Sequence, residues 1–151
     1  MSFRVIRWSE ATLPAELATL LVEADAARVE WLSSFTPEWH RRPFLEIGEG
    51  LFLAFVGAVP VAMAVISKDG LVDDPDAGRL RYIFVREMAR RQGMAEELVR
   101  AALAESDKRW RRVTLHTDNP VAASLYVRYG FRASIESARV THVRHSPASR
   151  Q

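Results

Sequence analysis

Apolar and polar residues follow two different periods in the first third of the chain. Residues 3–8 alternate with a period of two, which is typical of a half-buried strand. We expect Thr12 to cap a helix with Pro14 in its first turn, and apolar residues then recur at helical spacing up to Trp31. The period is lost over residues 33–50, which predicts a loop with room for one short helix.

Short apolar runs and helical patterns fill the rest of the chain. Residues 51–56 and 61–67 surround a turn at 57–60, which predicts a β-hairpin with Pro60 at its turn or edge. Strands and helices then alternate. They are a strand at 80–85, a helix after Gly93, a strand at 112–117, a helix from Asn119-Pro120 to Tyr129 closed by Gly130, and one or two strands within 132–145.

Element order and chain length together predict one domain. The chain has 151 residues, of which 48% are apolar and 26% charged, as in an ordinary globular domain. A hairpin comes early and strand–helix units come late, so the sheet should be mixed, with helices on both faces. We therefore expect an α/β (α+β) fold, a single domain over residues 1–145 and a flexible tail at 146–151.

Composition excludes several kinds of chemistry. The chain has no cysteine, so a disulfide framework, a thiolate metal site and a cysteine nucleophile are ruled out. Histidine spacing suggests no metal site. The formal charge is +2 and the basic residues are scattered, which disfavours nucleic-acid binding. No apolar run resembles a signal peptide or a membrane helix, so we expect a cytoplasmic location without membrane contact. Base rates make a homodimer unsurprising, although the sequence does not specify the oligomeric state.

A strand, a basic turn and a helix start follow one another at residues 80–95. A helix start offers unpaired main-chain N–H groups and partial positive charge, which favour an anion. Arg90 and Arg91 add charge, Gly93 lets an anion approach the main chain, and Ala95 keeps the next position small. The pattern predicts a phosphate-binding turn, with an ordinary solvated turn as an equal alternative. It contains neither G-x-G-x-x-G nor a P-loop signature.

Two segments carry a resemblance to a known family. They are Arg90-x-x-Gly93-x-Ala95, after the strand that ends at Val85, and Asn119-x-x-Ala122-x-x-Leu125-Tyr126-x-x-x-Gly130-Phe131. Over residues 50–131 the chain resembles the GNAT superfamily of acyl-CoA-dependent N-acetyltransferases. The resemblance implies a mixed, mostly antiparallel sheet of about six or seven strands. It also implies acetyl-CoA as cosubstrate and an amine of a small molecule or peptide as acceptor.

The resemblance further implies roles for individual residues. The main chains of Phe84 and Val85 would pair with the pantetheine arm, and the Val85 N–H would hold the oxyanion of the acetyl group. Asn119 and Ala122 would contact pantetheine near its thiol end, and Asn119 also fits an N-cap. Tyr126 would protonate the departing thiolate, with a core aromatic as the alternative. The diphosphate would be held by Arg90, Arg91, Gln92, Gly93, Met94 and Ala95.

The residue that takes the proton of the acceptor amine stays open. The common GNAT pattern has a glutamate on a central strand, but Tyr82 and Thr114 occupy the corresponding positions. His116, on the same strand face as Thr114, or a water molecule are alternatives. An aromatic cluster borders either the acceptor pocket or the core. It consists of Trp31, Phe35, Trp39 and Phe44.

The predicted activity is transfer of an acetyl group from acetyl-CoA directly to a primary amine in a ternary complex. The absence of cysteine removes the usual acyl-carrying side chain, which favours the direct route. The alternative is a non-catalytic sensor of acyl-CoA. The sequence specifies neither the acceptor nor the length of the acyl group.

Overall fold

The computed structural model describes residues 1–27 and 29–147. Its strands and helices follow the predicted order closely. They are β1 (Arg4–Arg7), α1 (Leu17–Ala26), a 3₁₀ helix (Glu30–Ser34), α2 (Phe35–Arg41), β2 (Gly50–Val56), β3 (Val59–Lys68), β4 (Ala77–Val85), a 3₁₀ turn (Glu87–Ala89), α3 (Met94–Ser106), β5 (Arg112–Leu115), α4 (Pro120–Arg128), β6 (Arg132–Ser137) and β7 (Val140–His145).

The described strands form one seven-stranded sheet in the order β1-β2-β3-β4-β5-β7-β6. Every neighbouring pair is antiparallel except β4 and β5, which run parallel. The prediction of a mixed, mostly antiparallel sheet is therefore confirmed. No helix in the described residues is long and apolar enough to cross a membrane.

Helices cover both faces of the sheet, as predicted. On one face α3 packs its apolar stripe, including Leu98 and Ala102, against β2 and β3. On the other face α1 and α2 pack against the same strands, with Leu20 from α1 and Trp39 from α2 in the core. The central strands are consequently buried from both sides, which accounts for the nearly continuous apolar run of β3.

The predicted N-cap at Thr12 is wrong, because α1 begins only at Leu17. The carbonyl of Thr12 instead accepts a hydrogen bond from Nε1 of Trp8 at 2.9 Å, which holds this stretch as a connection between β1 and α1. The helix also ends at Ala26, and Trp31 lies in the following 3₁₀ helix. The short helix expected within residues 33–50 is α2.

The aromatic cluster divides between the core and the surface. Phe35, Trp39 and Phe44 are fully buried, whereas 48% of Trp31 is exposed. At the other end of the chain, Ser146 of the predicted tail is buried and its N–H donates to the Arg111 carbonyl at 2.9 Å. Residues 148–151 of that tail lie outside the described residues.

Candidate active site

A groove opens where the two parallel strands separate. β4 and β5 pair only from Ala77 to Arg79, opposite Arg112 to Thr114, and β4 then continues to Val85 without that neighbour. The start of α3 and one face of α4 line the opening, which encloses about 670 Å³. Parallel strands that diverge in this way expose main-chain groups at their inner edges, so the groove can accept an extended ligand.

Ten of the eleven residues predicted to bind the cofactor line this groove. The groove is also lined by residues that the sequence did not assign to the cofactor, namely Ile83, Ala89, Glu96, Val121, Leu125 and Arg128. The predicted residues in the lining are Phe84, Val85, Arg90, Arg91, Gly93, Met94, Ala95, Asn119, Ala122 and Tyr126. Gln92 instead lines an adjacent cavity of about 470 Å³ with Phe3 and Val5.

The main chain of Val85 faces the groove. The Arg86 N–H donates to the Val61 carbonyl at 2.8 Å, so Val85 and Ala62 form a non-hydrogen-bonded pair of the antiparallel ladder. In such a pair the N–H and C=O groups point away from the partner strand, here toward the open side. The Val85 carbonyl accepts from Nε of Arg90 at 3.0 Å. The Val85 N–H is therefore directed into the groove.

Phe84 offers its side chain rather than its main chain to the same region. It lies opposite Met63, one step along the ladder, so alternation turns its main chain toward β3. Its ring is nearly buried, and the Arg90 guanidinium lies 5.8 Å from the ring centroid. Of the two predicted main-chain contacts, Val85 has the better orientation for pairing with a ligand.

The turn before α3 has the geometry of an anion site. Arg91 and Gly93 both adopt left-handed conformations, with φ of 65° and 79°. Gly93 is the N-cap and has no side-chain cap, and the first helical N–H with a main-chain acceptor is that of Glu97, which donates to Gly93. The preceding N–H groups at the helix start therefore lack helical partners and can bind an anion.

Two acidic residues in the first turn of α3 do not cancel this positive end. Glu96 accepts from Arg128 at 2.8 Å, and Glu97 accepts from Arg100 at 2.7 Å. Both carboxylates are thus paired with guanidinium groups, while the side chains of Arg90 and Arg91 reach solvent at the turn itself. The residues present fit a diphosphate.

Asn119 is the N-cap of α4, which is one of the two roles predicted for it. Its Oδ1 accepts from the N–H groups of Val121 at 2.9 Å and Ala122 at 3.4 Å, and Pro120 occupies the first helical position. This cap fixes the start of the helix that carries Tyr126 into the groove. The capping role and a ligand contact through the side-chain amide are compatible.

Tyr126 is a buried phenol without a partner for its hydroxyl among the described residues. Only 7% of the residue is exposed, and its ring packs against Phe131 with 5.8 Å between centroids. Burial raises the pKa of Tyr126 to about 12. The group therefore stays protonated near neutral pH and can donate a hydrogen bond to a ligand atom in the groove.

Comparison with known proteins assigns the chain to a family. The sequence model of the Acetyltransferase (GNAT) family matches residues 16–131, a span that includes the entire groove. The chain belongs to this family. The resemblance stated from the sequence is confirmed, and the match reaches farther toward the N-terminus than the segment 50–131 that carries it.

Solved structures share the GNAT fold over nearly the whole chain. A candidate acetyltransferase from Exiguobacterium sp. 255-15 has 21% identity and a TM-score of 0.78, covering 98% of this chain and 96% of its own. The PaiA N-acetyltransferase from Thermoplasma acidophilum, solved with coenzyme A, has 14% identity and a TM-score of 0.65 over 96% and 99%. A GNAT acetyltransferase from Elizabethkingia anophelis with acetyl-CoA bound has 17% identity and a TM-score of 0.60 over 95% and 97%. No curated protein matches the sequence.

In this GNAT domain the three side chains considered as proton acceptors have very different surroundings. Thr114 is fully buried, and its hydroxyl donates to the Asp69 carboxylate. His116 lies beyond the end of β5, with 42% of its side chain exposed and its Nε2 3.9 Å from Asp118. The Tyr82 hydroxyl donates to Glu38 at 2.7 Å, and burial raises the pKa of Tyr82.

Glu38 is a functional candidate that the sequence pattern does not reveal. It lies on α2, in the region where the hydrophobic period is lost, and 44 residues separate it from Tyr82. Its carboxylate also forms an ion pair with Arg81. Only the packing of α2 against β4 brings these three side chains together, and no local spacing rule predicts that contact.

Proposed function

We propose that the protein transfers an acetyl group from acetyl-CoA directly to a primary amine. The observation that carries the proposal is one groove that combines the Val85 N–H, the uncapped start of α3 and the Tyr126 hydroxyl. Family membership supports acetyl transfer, and the bound coenzyme A and acetyl-CoA in the Thermoplasma and Elizabethkingia proteins support the cosubstrate.

Binding of acetyl-CoA in this proposal uses the groove from end to end. The main-chain N–H groups at residues 92–95 hold the diphosphate, assisted by the charges of Arg90 and Arg91. The Val85 carbonyl, which can accept a second hydrogen bond beside that from Arg90, pairs with the pantetheine arm beside Phe84, while Asn119 and Ala122 contact the arm from α4. These contacts orient the thioester without using its reacting atoms.

The reaction requires support at three atoms of the reactants: the thioester oxygen, the thioester sulfur and the amine nitrogen. The neutral amine attacks the thioester carbonyl carbon, and the Val85 N–H donates to the oxygen as it gains negative charge. The carbon–sulfur bond then breaks, and Tyr126 donates a hydrogen bond to the sulfur. Because the pKa of Tyr126 is about 12 and that of a thiol is near 8.5, the phenol remains protonated while it stabilises the thiolate.

The amine must lose one proton overall, and water carries it to solvent in this proposal. Thr114 and Tyr82 are engaged by Asp69 and Glu38, so neither offers a free base to the groove. Without a cysteine the chain lacks the usual acyl carrier, which favours a ternary complex. A cytoplasmic location and a homodimer remain predictions from the sequence.

The first test of this proposal is stabilisation by ligand. Coenzyme A and acetyl-CoA should each raise the melting temperature in a concentration-dependent manner, because they bind the folded state only. Release of thiol from acetyl-CoA is then followed with a panel of amines, amino acids and peptides. The protein adds no thiol background, because it contains no cysteine.

The alternative is a non-catalytic sensor of acyl-CoA. It is favoured by the engagement of both Tyr82 and Thr114, at the positions where the common GNAT pattern has a glutamate. Stabilisation by acetyl-CoA without thiol release for any amine would support the sensor. A series of acyl-CoA chain lengths separates acetyl from longer groups. Stabilisation by an oligonucleotide but not by coenzyme A would contradict both.

A further inference from the structure

β4 contains a bulge at Tyr82. In the register with β3, Tyr82 and Ile83 together stand opposite the single residue Ala64. Tyr82 has φ of 56°, a left-handed conformation that a bulky aromatic residue rarely adopts. A bulge bends its strand, and this bend falls between the last β4–β5 pair, at Arg79, and Val85. The bulge thus lies where the groove opens.

The side chain of Tyr82 is held from several directions. Its hydroxyl donates to Oε2 of Glu38 at 2.7 Å and lies 2.7 Å from Oγ of Ser34. The Trp31 ring stacks on it with 5.8 Å between centroids, and the Phe35 ring meets it edge-on at 5.5 Å. All four partners come from residues 31–38, which pack on the face of the sheet opposite α3.

The contacts of Arg81 give independent evidence that binding of β4 to Glu38 depends on the bulge. Consecutive side chains of a regular strand point to opposite faces, yet Arg81 and Tyr82 both bind the carboxylate of Glu38. Only the extra residue of a bulge places both on one face. Arg81 also donates to Oγ of Ser67 on β3 at 3.0 Å. The two oxygens of Glu38 are therefore both engaged in holding β4.

We propose that Tyr82 is a positioning residue for the groove: its hydroxyl, held by Glu38 and Ser34, maintains the bulge and so directs the Val85 N–H into the groove. A left-handed tyrosine persists only where its surroundings determine it, and these contacts supply that constraint. The geometric part of this inference concerns the free protein, and its effect on catalysis rests on the proposed function. Through the contact between Glu38 and Tyr82, α2 on one face of the sheet sets the shape of a groove that α3 and α4 line.

The test uses the full chain with Tyr82→Phe, which removes the hydroxyl and keeps the ring. The amide signal of Val85 in nuclear magnetic resonance spectra of the free protein reports the geometry of β4, and calorimetry with coenzyme A reports the groove. We expect the Val85 amide to shift or broaden and the affinity for coenzyme A to fall about tenfold, as for loss of a hydrogen bond to a charged group. Ser34→Ala should change both readouts in the same direction and by less.

A matched control removes a different tyrosine hydroxyl. Tyr129 is hydrogen-bonded to Arg100 at 3.4 Å and does not line the groove. Tyr129→Phe should therefore leave both the Val85 amide and the affinity for coenzyme A unchanged. If Tyr82→Phe does not fold, Ser34→Ala decides the question with the same two measurements.

Two results would overturn the inference. The first is a Val85 amide and a coenzyme A affinity in Tyr82→Phe equal to those of the wild-type chain. The second, measured once an amine acceptor is known, is loss of one limb of the pH–rate profile in Glu38→Gln, which would make Glu38 the proton acceptor. A positioning role instead lowers kcat by a constant factor across the profile. Failure of the wild-type chain to bind coenzyme A would contradict the proposed function. The Val85 amide signal of the free protein would still test whether the Tyr82 hydroxyl maintains the bulge.

Discussion

At the residue scale, two buried tyrosines near the end of β4 have opposite surroundings. The Tyr82 hydroxyl is held by Glu38, whereas the Tyr126 hydroxyl has no partner among the described residues and lies in the groove. The Tyr126 hydroxyl reaches the open groove, where a ligand can supply a hydrogen-bond partner. In the proposed function, Tyr82 therefore shapes the site and Tyr126 acts in it.

Replacement of Tyr126 by phenylalanine tests the role in the groove. Tyr126→Phe should lower kcat by roughly 100-fold, because the departing sulfur loses its donor, and should change the affinity for coenzyme A little. Steady-state kinetics and calorimetry separate the two effects. Tyr129→Phe is the matched control and should retain wild-type kcat. Full activity in Tyr126→Phe would exclude Tyr126 from the chemical step.

Position 93 requires glycine because of its left-handed main-chain conformation and not because a side chain would lack space. A Cβ at Gly93 would meet no heavy atom of the described residues within 4 Å, but φ of 79° strains any other residue. Gly93→Ala should therefore cost about 1 kcal/mol of stability and also weaken coenzyme A binding, because relief of the strain closes the turn. Chemical unfolding and calorimetry measure the two effects.

Gly57 provides the control for that substitution. It has φ of 60° with equally open space, but it lies in the β2–β3 hairpin turn. Gly57→Ala should show a similar loss of stability and an unchanged affinity for coenzyme A. Equal loss of affinity in both variants would mean that the turn at Gly93 has no special part in binding.

At the element scale, the strongly periodic segments could be predicted and the irregular ones could not. The hairpin, α3 and α4 were found because period, turn residues and caps agree, as at Asn119-Pro120. The prediction of an N-cap at Thr12 was wrong because the Thr12 carbonyl accepts from the indole of Trp8, a local side-chain contact that competes with capping. Within the groove, the turn at residues 90–95 could be predicted, because its motif is local in sequence. The bulge at Tyr82 could not, since tyrosine favours ordinary strands and its partner Glu38 is remote in sequence.

Asn119 allows the cap of α4 to be separated from a ligand contact. Asn119→Ala should lower the free energy of unfolding by about 1 kcal/mol, because the Val121 and Ala122 N–H groups lose their acceptor. Asn119→Asp keeps an acceptor oxygen and should retain most of that stability. If the side-chain amide also binds pantetheine, the aspartate variant should still bind coenzyme A more weakly. Wild-type stability in Asn119→Ala would contradict the capping role.

At the scale of the whole molecule, the groove is assembled from parts distant in sequence. β4 supplies one wall where it separates from β5, α3 and α4 line the opening, and Glu38 of α2 binds Tyr82 of β4 from the other face. α1 is tied to the same region, since Glu23 accepts from Arg86 at 2.9 Å and from the Glu87 N–H at 2.8 Å. The loop that leads into the anion site is thus anchored by a carboxylate of the first helix.

This anchoring predicts how stability depends on pH. The hydrogen bond from the Glu87 N–H and the ion pair with Arg86 lower the pKa of Glu23, and bonds from Arg112 and the Asp76 N–H lower that of Asp74. A carboxyl whose pKa is lower in the folded state stabilises that state above its unfolded pKa, near 4. That contribution is lost as pH falls through the folded value. Urea unfolding should therefore show a free energy of unfolding that decreases below about pH 4 to 5.

Variants of Glu23 show how much of the acid-induced decrease in the free energy of unfolding is due to this residue. Glu23→Gln should be less stable than the wild-type chain at pH 7 and should lose less on acidification, because its side chain no longer binds a proton. Glu10 is exposed and forms no ion pair within the described residues, so Glu10→Gln should follow the wild-type curve. Parallel curves for Glu23→Gln and the wild-type chain would mean that the contact between α1 and the loop does not stabilise the fold. Because the same contact holds the entrance to the anion site, the affinity for coenzyme A should fall in Glu23→Gln even at pH 7.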